Sequence, residues 1–219
     1  MGAVIGDLLP LAVGVAISPI PIVAVILMLL SRNARVTGIG FGTGWAVGIL
    51  AVTAVVTAAS GLFGSGSGGG GTVASWFEVV LGVVLIALAF TQWRSRADTA
   101  TPQWMRAIDE FTFEKAASLG VMLSAVNPKN LLLCVSAGIT IGTGGLGAGG
   151  DIVALLVFTV LAAVSVLVPV FGYLLAADRV SGTLDTAKNW LQANNHLVMA
   201  IVLLIMGAAV LGKGVGGLG

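Results

Sequence analysis

The chain reads as a series of long apolar runs separated by short polar interruptions. The runs extend from about Val4 to Leu30, Val36 to Ser60, Ser75 to Trp93, Ala116 to Ile141, Ile152 to Ala176 and His196 to Leu211. At 1.5 Å of rise per residue, helices of this kind cross roughly 30 Å of hydrocarbon. Between them lie the turn 31–35, the glycine-serine stretch 64–71, a polar region from Arg94 to Lys115, a glycine-rich turn at 142–150 and the polar stretch 178–195. The stretch 64–71 has linker composition and is expected to be flexible. In the polar region, Thr101-Pro102 suits a helix start, and Trp104, Ile108 and Phe111 recur at helical spacing. The pattern predicts an amphipathic helix on the membrane surface. A second surface helix is expected within 178–195, with Leu184, Ala187 and Leu191 on one side.

Two of the runs are interrupted in the middle. The first contains Ser18-Pro19-Ile20-Pro21 and the fourth Asn127-Pro128-Lys129-Asn130. Proline removes an intrahelical donor and clashes with the preceding turn, so both spans are expected to be broken or strongly kinked. Pro169 is expected to bend the fifth span. Setting Pro19 over Pro128 aligns two halves of three spans, each opening on a broken helix. An odd number of spans per half reverses the second half in the membrane, an arrangement common among secondary transporters. The expected fold is therefore all-α and integral to the membrane, with six transmembrane helices as two inverted three-helix repeats and proline-broken helices 1 and 4. The expected organisation is a first repeat over 1–93, a cytoplasmic loop with an amphipathic helix over 94–115 and a second repeat over 116–219.

Composition agrees: 58% of the 219 residues are hydrophobic and only 9% are charged, against about 25% charged in soluble chains. The positions of the basic residues orient the chain. Arg32 and Arg35 fall in the first loop, Arg94, Arg96, Arg106 and Lys115 in the third, and Arg179 and Lys188 in the fifth. The positive-inside rule places those loops in the cytoplasm. A multi-pass protein of the plasma membrane with both termini extracytoplasmic is expected, and Lys213 falls in the C-terminal tail. The start of the chain lacks the basic n-region of a cleavable signal peptide, so its first run is expected to be a retained span.

Several chemistries find no residues to carry them. The single cysteine, Cys134, supports neither a disulfide nor a dithiol relay and is expected to pack as a small apolar residue. One histidine, His196, and no paired acids within a span argue against transition-metal transport. No catalytic constellation, nucleotide motif, metal site or cofactor is expected, and at net charge +1 nucleic acid is not an expected partner. Gly40, Gly44 and Gly48, at four-residue spacing, predict close helix packing, with a glycine path for a substrate as the alternative.

Lys129 is the most informative residue. A lysine at mid-span costs about 2.5–3.5 kcal/mol on insertion scales, so it faces a cavity or a partner, or else it snorkels to the interface. Broken helices at equivalent places in two halves point to one shared central site. The candidate substrate-binding residues are Ser18, Pro19, Pro21, Asn127, Pro128, Lys129 and Asn130. The prolines open the backbone, the serine and asparagines exchange hydrogen bonds, and Lys129 meets a carboxylate, phosphate or sulfate. The alternative is a pair of packing kinks with no ligand.

Six spans, Ala16-Ile17-Ser18-Pro19-Ile20-Pro21, Gly42-Thr43-Gly44-Trp45 and Ser124-Ala125-Val126-Asn127-Pro128-Lys129-Asn130 together resemble the LysE-type transporter superfamily. More narrowly, the chain is similar to the actinobacterial GAP family of Sap-like lipid-addressing proteins. That resemblance implies a role in bringing glycolipids or peptidoglycolipids to the cell surface. The expected function is export of a small anionic or amphipathic substrate, such as a cell-envelope lipid. The alternative is a non-transporting accessory or scaffold subunit of a larger lipid-export machine. The expected partners are membrane lipid, the small-molecule or lipid substrate, and either a second copy of the chain or that larger machine.

Overall fold

The computed structural model describes residues 1–64, 70–95, 108 and 111–218. These form α1 (Gly2–Ala16), α2 (Pro19–Leu29), α3 (Ala34–Gly64), α4 (Gly70–Arg94), α5 (Phe113–Ala125), α6 (Pro128–Gly142) and α7 (Gly147–Gly216), with no strand among the described residues. Four stretches are each long and apolar enough to cross a membrane: Ala34–Ser60, Ser75–Arg94, Gly147–Ala177 and Arg179–Gly216. The pairs α1–α2 and α5–α6 reach that length only together, bent by 55° and 67°, which makes up to six crossings. The chain is a multi-pass helical membrane protein.

Both bends arise from the same local rule. The residue before a proline is driven out of the α region into extended backbone. Ser18 takes φ −105°, ψ 106° and Asn127 takes φ −62°, ψ 118°. Each therefore ends one helix, and the proline after it starts the next at a position where no intrahelical donor is needed. Pro21 lies in that same unpaired first turn of α2. These prolines restart helices rather than deform them. Pro10, by contrast, is carried inside α1.

Glycine faces bring the helices together. A Cβ on Gly44 would fall on the Ala117 carbonyl, one on Gly48 on the Ser124 hydroxyl, and one on Gly40 within 2.7 Å of the Phe113 carbonyl. From the other side, a Cβ on Gly120 would lie 2.7 Å from the Trp45 amide. The Gly40-Gly44-Gly48 face is thus a packing surface, closed by α5. A second contact of this kind joins α4 to the end of α7 through Gly82, Gly207 and Gly214. Trp45 and Phe41 are fully buried and stacked, with ring centroids 6.3 Å apart. The helices pair across the halves: α3 packs on α5 and α6, α1 and α2 pack on α7, and α4 packs on α7.

Several expectations need correction. The stretch 178–195 is no separate surface helix, because α7 runs on through it and Arg179–Gly216 is continuous. Leu184 is buried and Ala187 packs against the core, which gives this stretch an apolar seam to lie on. The one non-helical residue within α7 is Ala176 (φ −152°, ψ 54°), seven residues beyond Pro169. Gly70 and Gly71 open α4, so the stretch 64–71 is not linker throughout, while 65–69 lie outside the described residues. Gly145 in the turn before α7 takes φ 63° and Gly147 at the start of α7 takes φ 71°, a region open to glycine at little cost. Of the proposed surface helix around Trp104, only Ile108, which is buried, and Phe111 are among the described residues. Cys134 is buried in the core, as expected.

Candidate functional site

A broken helix leaves backbone carbonyls without partners, and in lipid such groups must be satisfied internally. At the first break one of the freed groups is the Ile17 carbonyl. It accepts a hydrogen bond of 3.2 Å from Lys129 Nζ. At the second break the Leu123 carbonyl accepts one of 3.1 Å from Asn130 Nδ2. The side chains that follow Pro128 thus serve both breaks.

Ser18 joins the two directly. Its hydroxyl donates to Asn130 Oδ1 at 2.9 Å and accepts from Lys129 Nζ at 2.8 Å. The two helix-starting residues behave differently. Asn127 turns its side chain back onto its own helix, accepting from the Lys129 amide at 3.1 Å. Ser18 makes no such cap and is free to reach across. Ser18, Pro19, Pro21, Lys129 and Asn130 are buried, Asn127 is half-buried and Pro128 is exposed. The structure therefore gathers Ser18, Lys129 and Asn130 at one point, with Asn127 supporting from behind. Pro19, Pro21 and Pro128 act through the backbone they shape.

Lys129 does not snorkel. It is 2% exposed and its ammonium turns inward. An ammonium has three N–H donors, and two are used here, on neutral oxygens. Among the described residues no carboxylate pairs with it. One N–H of an ammonium placed here is left without an acceptor among the described residues.

A second polar cluster lies toward the ends of the chain. Lys213 pairs with Asp7 at 3.2 Å and Glu78 at 3.1 Å and donates to Thr140 Oγ1 at 3.0 Å. It ties α1, α4, α6 and α7 together beside a cavity of about 140 Å³ lined by Asp7, Ser136 and Met206. Lys213 is thus part of a helix and an ion-pair network, not of a free tail. The sequence carried a signal for it: Asp7, Glu78 and Lys213 all fall at span ends that the basic loops assign to one side of the membrane. Elsewhere His196 Nδ1 and Gln92 Oε1 lie 2.7 Å apart, linking α7 to α4. Among the described residues no group of acids, histidines and cysteine could hold a metal ion.

The family described as Sap, sulfolipid-1-addressing protein, matches residues 8–216, a range that includes both breaks and all seven candidate residues. The chain belongs to this family. No curated protein and no solved structure matches it.

Proposed function

We propose that the chain is an exporter or flippase-like transporter of an anionic amphipath, a cell-envelope lipid or glycolipid, across the plasma membrane. The observation that carries this reading is Lys129: an enclosed cation at the meeting of two helix breaks, held by neutral oxygens, with no carboxylate paired to it among the described residues. A carboxylate, phosphate or sulfate supplies a counter-ion and takes the remaining N–H. Ser18, Asn127 and Asn130 position the cation, and Pro19, Pro21 and Pro128 keep the backbone open around it. The family's description, which names a sulfolipid-addressing protein, fits a substrate that joins an anionic group to apolar chains.

An inverted repeat within the LysE-type superfamily fits the packing. A two-fold axis exchanging the halves turns the contact of α1–α2 with the second-half helix α7 into that of α5–α6 with α3, and contacts of both kinds are present. With no nucleotide motif in the chain, uphill movement draws on an ion gradient or on a partner machine. The basic loops put both termini outside.

One observation favours the second reading, an accessory subunit of a larger lipid exporter: Lys129 is 2% exposed, so the site is closed in this conformation. Complementing a deletion strain with Lys129→Met separates the two. Loss of envelope-lipid export at normal protein levels supports the transporter. Full export together with co-purification of a larger transporter supports the accessory role.

A further inference from the structure

Lys129 and Lys213 stand at the two ends of one packed column. On α6, Lys129, Leu133, Ser136 and Thr140 recur at i, i+4, i+7 and i+11, which puts them on one face of the helix. At 1.5 Å of rise per residue, Thr140 lies about 16 Å along the axis from Lys129. Asp7, Leu11 and Gly14 share a face of α1 by the same spacing, and Met206, Val210 and Lys213 share one of α7. The contacts bring these three faces together. At one end Lys129 donates to Ser18 and to the Ile17 carbonyl. At the other Lys213 holds Asp7, Glu78 and Thr140 beside the cavity of about 140 Å³, whose walls include Leu11, Ser136, Met206 and Val210.

Between the cavity and the Lys129 site lies a layer of two apolar side chains. Leu133 is one turn along α6 from Lys129, and Gly14 is one turn before Ile17 on α1. A Cβ on Gly14 would fall 2.7 Å from Met206 Sδ and 2.9 Å from Leu133 Cδ1. Leu133 and Met206 thus fill the notch that the glycine leaves, and both are buried. Methionine is unbranched and has three rotatable bonds, so Met206 can leave the notch by changing rotamers. The ion pairs close the far end unequally. Asp7 is exposed and Glu78 is buried, and an exposed pair is cheap to break and remake. α1 can therefore part from α7 at Asp7 while Lys213 keeps Glu78. The break at Ser18, where α1 and α2 meet at 55°, frees α1 to move without α2.

We propose that this column is the path of the headgroup from Lys129 to the outer face, opened when α1 swings about the Ser18 break. The swing releases Asp7 from Lys213, the latch, and uncovers Leu133 and Met206, the plug. The inference rests on the reading of Lys129 as the headgroup site.

The first test is labelling of the full chain on intact cells by (2-sulfonatoethyl)methanethiosulfonate, an anionic reagent that does not cross the membrane. In a Cys134→Ser background, Ser136→Cys is expected to react from outside. Asp7→Asn should speed that reaction about two- to fivefold, the worth of one water-exposed ion pair. Ser165→Cys, a buried position outside the column, should stay unlabelled. Failure of Ser136→Cys to react, or reaction only in inside-out vesicles, overturns the path, and neither result depends on Lys129. The second test locks the plug with Gly14→Cys/Met206→Cys in the same background, crosslinked by copper phenanthroline. Envelope-lipid export should stop on oxidation and return with dithiothreitol. Normal export by the crosslinked protein overturns the path, and the labelling result stands alone if Gly14→Cys lowers the yield. Outside labelling and a working lock together with normal export by Lys129→Met retain the path and overturn instead the assignment of the headgroup to Lys129.

Discussion

Lys129 Nζ lies 2.8 Å from Ser18 Oγ, a contact that closes 111 residues of chain and joins the two helix breaks. Among the described residues no carboxylate pairs with Lys129, while the Ser18 hydroxyl serves two groups at once, accepting from Lys129 Nζ and donating to Asn130 Oδ1. Their removal should therefore have unequal consequences.

Ser18→Ala strips an acceptor from the ammonium and a donor from Asn130 Oδ1. Leaving buried polar groups unpaired costs about 1–3 kcal/mol each, more when one is charged. Lys129→Met removes the cost of burying an ammonium but leaves the Ile17 carbonyl without its donor, two effects that offset. Thermal unfolding in detergent should rank Ser18→Ala well below wild type and Lys129→Met close to it. The double variant should recover part of the Ser18→Ala loss. A loss for Lys129→Met beyond the roughly 1–3 kcal/mol of one unpaired carbonyl would mean that the ammonium has a compensating partner in the folded chain.

The breaks were legible in the sequence because X-Pro is a strong local rule: Ser18 and Asn127 had nowhere to go but extended backbone. The glycine face of α3 was legible for the same reason, a short-range pattern with one good use. What the sequence did not disclose is which groups meet. Nothing local says that Asn127 caps its own helix while Ser18 reaches across to Asn130, or that the break in α7 falls at Ala176 rather than at Pro169. Proline inside a helix only permits a bend, and tertiary packing decides whether it is used. The stretch 178–195 misled because its polar residues marked a surface helix separate from the last span, whereas the helix runs on unbroken along an apolar seam that includes Leu184 and Ala187.

The glycine contacts make a prediction of their own. A Cβ at Gly44 meets backbone, which cannot move aside, whereas one at Gly212 meets nothing within 4 Å. Gly44→Ala should reduce the yield of folded protein sharply. Gly212→Ala should be neutral or gain up to about 1 kcal/mol from helix propensity. Gel filtration after detergent extraction distinguishes these outcomes.

Lys213 should matter through Glu78 more than through Asp7. The Glu78 side chain is 9% exposed and that of Asp7 is 48% exposed. Lys213→Met leaves a buried carboxylate unpaired and should lower stability by about 1–3 kcal/mol, with Lys213→Met/Glu78→Met largely restored. Asp7→Asn should change it by less than about 1 kcal/mol. Melting curves of the four proteins give the comparison, and a larger loss for Asp7→Asn than for Lys213→Met would refute it.

Orientation is open to a labelling experiment. Cys134 is fully buried, so Cys134→Ser provides a silent background. A membrane-impermeant maleimide should label Gly2→Cys and Gly216→Cys on intact cells, and Asn33→Cys only after permeabilisation. The reverse pattern would invert the topology.

The glycine face of α3 also bears on how the protein is made. It is synthesised and inserted before α5 exists, so its cover arrives only when the second half follows. The same delay applies to α1 and α2, whose neighbour α7 follows the other described helices in the chain. Until then the first half has α2 on α3 and a slight contact of α3 with α4 to hold it together. A ribosome that stalls midway thus leaves behind helices that lack most of the partners their buried faces meet.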